Sequence, residues 1–577
     1  MLSKRFLLIV AGALAAGLAL LLGLALFVLG PTALFAWTGE EQPSSQLVAL
    51  WNLAAGRLRA APDTAADEPV ANVGLNPFGA NTFLEQEVEP AKRERTCQML
   101  HDAGFRWMRQ EFPWEDIEIH GKGDFQDRRN TPSRSAWEKY DNIVDLAQKH
   151  DLQIIARLSH PPAWTRADGN TRGTFAPPDN LADYADFVRA VVGRYKSRIR
   201  HYQIWNEPNI YPEWGEAAVD PADYTALLKA GYESVKAVDR DAVVICGALA
   251  ATIEMDGHPN GMNDFLFLQR MYDAGARPYF DVMAVQGYGL WSAPTDRRMQ
   301  PRVLNFSRPQ YIRDIMVKNG DAQKPIWMTE MNWNAIPVGH PAPPAYGRVT
   351  EQQQADYARL AYQRAQAEWP WMGVINVWFF KRASDAEKDQ SWYYFRMVEP
   401  DFRALPLYDA LKEEAQQPPV MYPGYHQEDH WAVYYLGPWA HGQDARAVLG
   451  GYQASRGDGA GVRLTFAGTD LDLVLRDLPG GGRVAVSCDG GLPVIIDTRA
   501  PAEESVRVSA CRRLRDGRHE ARIEALTSGD DPTSVAIDGY VVRRTPWGRA
   551  GRFLGIAALS ISAAALVVVL AKNAMSS

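Results

Sequence analysis

Two glutamates stand where short apolar runs stop abruptly. Glu207 closes Tyr202-Gln203-Ile204-Trp205-Asn206-Glu207-Pro208-Asn209, and Glu330 closes Pro325-Ile326-Trp327-Met328-Thr329-Glu330. A carboxylate at the C-terminal lip of a barrel strand is where that fold places its chemistry. Two of them on separate strands imply paired-acid cleavage of a glycosidic bond, in which one carboxyl attacks the anomeric carbon and the other protonates the leaving oxygen. Such a pair, about 5–5.5 Å apart in retaining enzymes, must titrate apart to divide the work.

The elements that would hold the pair repeat along the chain. Apolar strand patterns lie near 73–81, 105–109, 152–158, 199–206, 242–247, 280–286, 325–330 and 373–380. Amphipathic stretches follow each in turn, near 91–102, 135–150, 181–198, 221–239, 262–273, 308–318, 351–367 and 405–415. Buried strands alternating with helices imply a parallel sheet covered by helices. Eight such units over about 345 residues predict an α/β fold, a (β/α)8 TIM barrel spanning 70–415. A doubly wound open sheet would not account for both glutamates ending strands four and seven.

At these residues the chain resembles the retaining glycoside hydrolases of clan A, family 39 most and family 5 next. The resemblance covers roughly residues 70–415 and is carried by Gly104-Phe105-Arg106-Trp107-Met108-Arg109, Trp205-Asn206-Glu207-Pro208, Thr329-Glu330 and Trp378. It implies Glu207 as acid/base and Glu330 as nucleophile. It further implies Asn206 on the sugar 2-hydroxyl, Arg109 and Tyr288 as partners of the nucleophile, His160 near the cleaved bond, and Trp378 as the floor under the reacting sugar. On strand six the chain departs from the pattern: where many members carry His-x-Tyr, it has Gln286-Gly287-Tyr288.

Each residue also has a structural reading. Arg109 shares its strand setting with Arg106, Arg157 and Arg200, any of which could form an ion pair. His160 precedes Pro161-Pro162 and fits a turn, and Trp378 fits a core position. Trp114, Trp164, Trp291 and Trp333 fall just past strand ends. There each fits either packing or a stacking platform for a sugar, and the chain holds 18 tryptophans in all.

The ends of the chain bear on where this chemistry happens. Residues 6–37 are apolar, follow Lys4-Arg5, and include a run of about 24 residues to Leu29, long enough to span a bilayer. Segment 1–37 therefore reads as an uncleaved signal anchor, with 38–69 as linker. A second apolar run at 553–571, ending at Lys572, reads as another transmembrane helix. Both together place the middle of the chain on one side, outside the cytoplasm. Arg543, Arg544, Arg549 and Arg552 lie on the domain side of the second run, against the positive-inside rule.

After a linker at 416–424, period-two alternation with Gly- and Asp-rich turns begins, as in Val462, Leu464 and Phe466 or Leu471, Leu473 and Leu475. This predicts an antiparallel, jelly-roll-like β-sandwich over 425–545, for which sugar binding and a spacer role both fit. Of four cysteines, Cys97 and Cys246 read as buried thiols, and Cys488 with Cys511 would suit a bridge outside the cytoplasm. No Cys/His spacing indicates a metal and no glycine loop indicates a phosphate, so no cofactor is expected. A net charge of −8 gives no reason to expect nucleic acid.

The expectation is a membrane-anchored retaining β-glycoside hydrolase acting on polysaccharide, exopolysaccharide included, in association with the membrane and with export machinery. A non-catalytic glycan-binding surface protein and a transglycosylase using the same two glutamates are the competing readings.

Overall fold

The computed structural model describes residue 17 and residues 34–545, apart from 57–58, 130, 457–458 and 527–533. Eight parallel strands make the central sheet: β1 (Phe78–Thr82), β2 (Trp107–Glu111), β3 (Gln153–Leu158), β4 (His201–Ile204), β5 (Val243–Ile245), β6 (Met283–Gln286), β7 (Ile326–Met331) and β8 (Met372–Val377). They run in the order β5-β4-β3-β2-β1-β8-β7-β6. Bridges from Ile245 to Val282 and from Leu249 to Val285 bring β5 against β6, so the sheet is a nearly closed barrel. The helices α1 (Pro90–Asp102), α2 (Glu138–Lys149), α3 (Leu181–Tyr195), α4 (Pro221–Val238), α5 (Asp264–Asp273), α6 (Pro309–Lys318), α7 (Glu351–Glu368) and α8 (Pro406–Ala415) follow the strands one by one.

Local chemistry starts several of these helices where the chain leaves a site loop. Asn180 and Asp220 accept the backbone N–H groups of Ala182 and Ala222, capping α3 and α4. Thr350 and Gln353 form a reciprocal capping box on α7. The strands are buried on both faces, as a parallel sheet covered by helices requires.

Side-chain alternation stacks the barrel interior in layers. Trp107, His201 and Trp327 fill the lower layer, with ring centroids 4.9 to 5.4 Å apart. Two residues further along β2 and β4, Arg109 and Gln203 form a polar layer directly above. The aromatic layer below closes that layer off from the far end of the barrel.

Beyond the barrel lie two antiparallel sheets built from β9 (Gly424–Gln427), β10 (Val433–Leu436), β11 (Trp439–Gln443), β12 (Gly451–Arg456), β13 (Gly461–Gly468), β14 (Asp470–Asp477), β15 (Arg483–Cys488), β16 (Val494–Asp497), β17 (Glu504–Cys511), β18 (Gly517–Leu526) and β19 (Ser534–Arg543). One sheet runs β11-β12-β19-β14-β17 with β9 also on β19, the other β10-β13-β18-β15-β16. Leu464, Phe466, Leu473, Val484, Ile523 and Ile537 fill the space between them. Cys488 and Cys511 form a disulfide, while Cys97 and Cys246 are buried thiols.

The sandwich docks on the end of the barrel where the strands begin. Trp431 donates its backbone N–H to Gly74 at 2.7 Å, and His430 packs against Gly74 just before β1. Among the described residues no helix is long and apolar enough to cross a membrane. The expected spans within 6–37 and 553–571 lie outside the described residues, save Gly17 and 34–37.

Candidate active site

The C-terminal ends of β2, β4, β6 and β7 converge on one hydrogen-bonded network centred on Arg109. Its guanidinium donates to Gln203 Oε1 at 2.7 Å, Asn81 Oδ1 at 2.7 Å, Asn206 Oδ1 at 2.7 Å and Glu330 Oε1 at 2.9 Å. Asn81 is itself fixed, because its amide nitrogen donates to the carbonyls of Thr329 and Val377 on β7 and β8. Its oxygen is thereby left to face the arginine.

Glu330 receives a second donor, the Tyr288 hydroxyl at 2.7 Å on its other oxygen. Burial, followed by the charges of Glu330 and Glu207, pushes the Tyr288 phenol well above its ordinary range, so it stays a proton donor. Both side-chain partners of Glu330 are thus hydrogen-bond donors, one to each oxygen.

Glu207 is built differently. The chain turns sharply after β4, with Trp205 and Glu207 in the left-handed region at φ 73° and 42°. Asn209 holds the turn by bonding Ala250 and Met262 in the loop after β5. The Glu207 carboxyl accepts one neutral amide donor, Gln286 Nε2 at 2.9 Å. Burial first, then the negative charges of Glu330 and Glu213, raise its pKa well above the usual carboxylate range.

The structure thus brings Asn206, Glu207, Arg109, Tyr288 and Glu330 together. His160 stands in an adjoining cluster, where it and Arg157 both pair with Glu111 and Ser159 donates to Glu111 at 2.8 Å. Burial works against the charge of Glu111, but Arg157 and His160 outweigh it and hold that carboxyl well below its usual range. Trp378 is half-buried at the end of β8, edge-on to Phe83. Trp164 is half-buried, with its indole N–H given to the Glu118 carbonyl at 2.8 Å. Trp291 is 66% exposed on the loop after β6.

Trp333 and Trp114 correct the expectation of a platform. Both are fully buried. Trp333 donates to the Ser292 carbonyl and packs on Phe306 and Tyr357. It lies so close under Gly289 that a Cβ there would sit 2.1 Å from the indole. Trp114 stacks on Phe187 at 5.1 Å.

Three site residues escaped the sequence reading. Glu213, on the short strand Glu213–Glu216, accepts Asn206 Nδ2 at 3.4 Å, and burial leads the causes that raise its pKa. Asn81 and Gln203 are the other two, and their only signal was a polar residue inside an otherwise apolar strand. Among the described residues no group of three or more His, Cys, Asp or Glu is placed to hold a metal ion.

The family model of cellulase, glycosyl hydrolase family 5, matches residues 65–277. A 6-phospho-β-glucosidase of Clostridium longisporum is 25% identical over 112 residues, which are 19% of this chain and 22% of that protein. The chain thus spans about a fifth of the length of this curated relative. Solved structures with similar folds include a family 39 glycoside hydrolase from Bacteroides cellulosilyticus WH2, with TM-score 0.45 and 17% identity over 80% of this chain and 82% of that one. A monomeric β-xylosidase from Caulobacter crescentus CB15 has TM-score 0.42 and 13% identity over 81% and 98%. The family match, confined to residues 65–277, supports a glycosidase.

Proposed function

We propose that this chain is a retaining β-glycoside hydrolase, most like family 39, that cleaves polysaccharide by double displacement. The observation that carries this reading is the asymmetry of two buried carboxyls at one barrel mouth. Glu330 is held by a guanidinium and a phenol, whereas Glu207 has a single amide donor and a raised pKa. Glu330 attacks the anomeric carbon while Glu207 delivers its proton to the leaving oxygen. Once the glycosyl-enzyme forms, the charge on Glu330 is gone. Glu207, left as a carboxylate by the first step, then stays ionised more readily and takes a proton from the attacking water. Asn206, aligned by Arg109, contributes a hydrogen bond from its amide nitrogen to the sugar.

The same proposal places the enzyme at a membrane, anchored through the apolar runs within 6–37 and 553–571, with barrel and sandwich outside the cytoplasm. The disulfide between Cys488 and Cys511 supports an oxidising compartment. Two of the arginines that oppose this topology are engaged within the sandwich: Arg543 pairs with Asp472 and Arg544 with Asp516.

The test is turnover of aryl β-glycosides and bacterial exopolysaccharides by the full chain beside Glu330→Gln and Glu207→Ala. Glu330→Gln is expected to lose at least about a thousandfold in kcat. Azide is expected to restore activated-substrate turnover to Glu207→Ala, with a β-glycosyl azide as product. Wild-type rates in both variants would overturn the assignment.

A further inference from the structure

Helix Pro43–Gly56 carries no charged residue, and its outward side is apolar. Gln46 and Ala49 are buried, while Leu47, Val48 and Trp51 are 48%, 61% and 74% exposed. Their spacing puts the three on one helix face within about a third of a turn of the axis. Trp37, just upstream, is also largely exposed. A surface helix of a globular protein ordinarily turns charged and polar residues to water. An exposed tryptophan flanked by aliphatic residues is instead the composition of a segment lying in a membrane interface.

This segment is fixed to the barrel at a defined place. The Ala293 N–H donates to the Gly39 carbonyl at 3.0 Å, and the Thr295 hydroxyl to the Phe35 carbonyl at 2.8 Å. Glu40 pairs with Arg298, and Glu41 accepts from Gln353 and from Tyr357. Ala293, Thr295 and Arg298 belong to the loop after β6, and Gln353 and Tyr357 to the first turns of α7. Ala293 and the first turns of α7 lie toward the end of the barrel that holds Glu207 and Glu330. From there the loop runs along α7, its Pro294 and Asp296 carbonyls accepting from Arg364 and its Arg297 pairing with Glu368. Trp291 stands on the same loop, two residues before Ala293.

Resting on the reading that residues 6–29 form a membrane anchor, we infer that Leu47, Val48 and Trp51 lie against the bilayer surface and hold the α7 flank of the barrel, whose first turns adjoin the mouth, beside it. Five residues separate Leu29 from Phe35, so the bilayer lies at most about 20 Å from Phe35, which is bonded to the loop that carries Trp291. The sandwich, docked at the opposite end of the barrel, leads to the second apolar run. Thr545, tied to Thr469 and Asp470, is its last described residue. Tethers at both ends lay the molecule along the membrane instead of standing it off on a stalk. The cleft then meets glycan that is itself at the membrane surface, such as a chain emerging from it.

The experiment uses the full chain in vesicles of phosphatidylethanolamine and phosphatidylglycerol, 3:1. A fluorophore is attached at Trp51→Cys or, as control, at Lys149→Cys on α2, across the barrel. The native thiols do not compete, because Cys97 and Cys246 are buried and the other two are bonded. A quencher carried on the lipid is expected to quench the label at 51 and not that at 149, and aqueous iodide to do the reverse. Iodide quenching of both labels alike in protein that stays with the vesicles would overturn the inference while leaving the anchor in place. Protein that fails to stay with the vesicles would overturn the anchor and the inference together. Neither outcome touches the glycosidase assignment, which is read from turnover.

Discussion

Gln286 donates from Nε2 to Oε1 of Glu207 at 2.9 Å, and its own oxygen accepts the Thr329 hydroxyl at 3.2 Å. The amide nitrogen faces the acid, so Glu207 meets a donor. A donor stabilises the ionised form and pulls against the burial that raises the Glu207 pKa. Removing it in Gln286→Leu is expected to move the alkaline limb of the kcat/KM profile upward, by up to about one pH unit. The second step needs ionised Glu207, so kcat is expected to fall roughly tenfold. A downward shift of that limb would show that the amide does not stabilise the anion.

Glu213 makes the opposite prediction at the same group. Its negative charge is among the causes that raise Glu207, after burial and Glu330. Glu213→Gln keeps the shape and the acceptor for Asn206 but removes the charge. The alkaline limb is expected to move downward, in the reverse sense from Gln286→Leu. The two variants together separate electrostatics from a general loosening of the site, which would move both limbs in the same sense.

Legibility in the sequence followed burial. The eight strands and helices were readable because a parallel sheet covered by helices buries both strand faces, leaving long apolar runs bounded by polar turns. The structure moves their ends by a few residues: the run read as 199–206 is strand only over His201–Ile204. The beyond-strand part is the tight turn that aims Glu207. The carboxyl pair was readable for the same reason, since a charge at the end of an apolar run is conspicuous. Glu213 was not, because its place in the site comes from a loop folding back past Trp205, whose indole N–H holds the Glu213 carbonyl at 2.9 Å. The tryptophans divided by a feature invisible locally. Trp291 and Trp333 follow strand ends alike, yet Gly289 makes room for one to pack inward.

That division predicts opposite phenotypes for one substitution. Trp333→Ala empties a fully buried site and is expected to cost about 3–5 kcal/mol of stability, read as a lowered midpoint of unfolding. Trp291→Ala removes an exposed ring and is expected to leave the midpoint within about 0.5 kcal/mol of wild type. As a sugar platform its loss is expected to raise KM for oligosaccharides by about tenfold while sparing small aryl glycosides. Equal KM values on both substrates would remove Trp291 from the cleft.

The junction of barrel and sandwich predicts a pH dependence of stability with two opposing parts. Burial lowers the pKa of His426 to about 4, and its ring nitrogen bonds the Tyr422 carbonyl at 2.6 Å. The unfolded chain takes up this proton near pH 6.5 and the folded one only near 4, so stability falls as pH drops between those values, by up to ~3 kcal/mol. Glu428 works the other way. Burial and then Asp429 raise its carboxyl to about 7, so the folded form keeps a proton that the unfolded form loses above pH 4.5. Stability is lost through this group as pH rises from about 4.5 to about 7. Urea unfolding across pH 4 to 8 is expected to show His426→Gln losing less stability than wild type on the acid side. Glu428→Gln is expected to gain on wild type near pH 7 and to match it below pH 4.5. Gains confined to the same end of the pH range for both substitutions would mean that these two groups do not govern the junction.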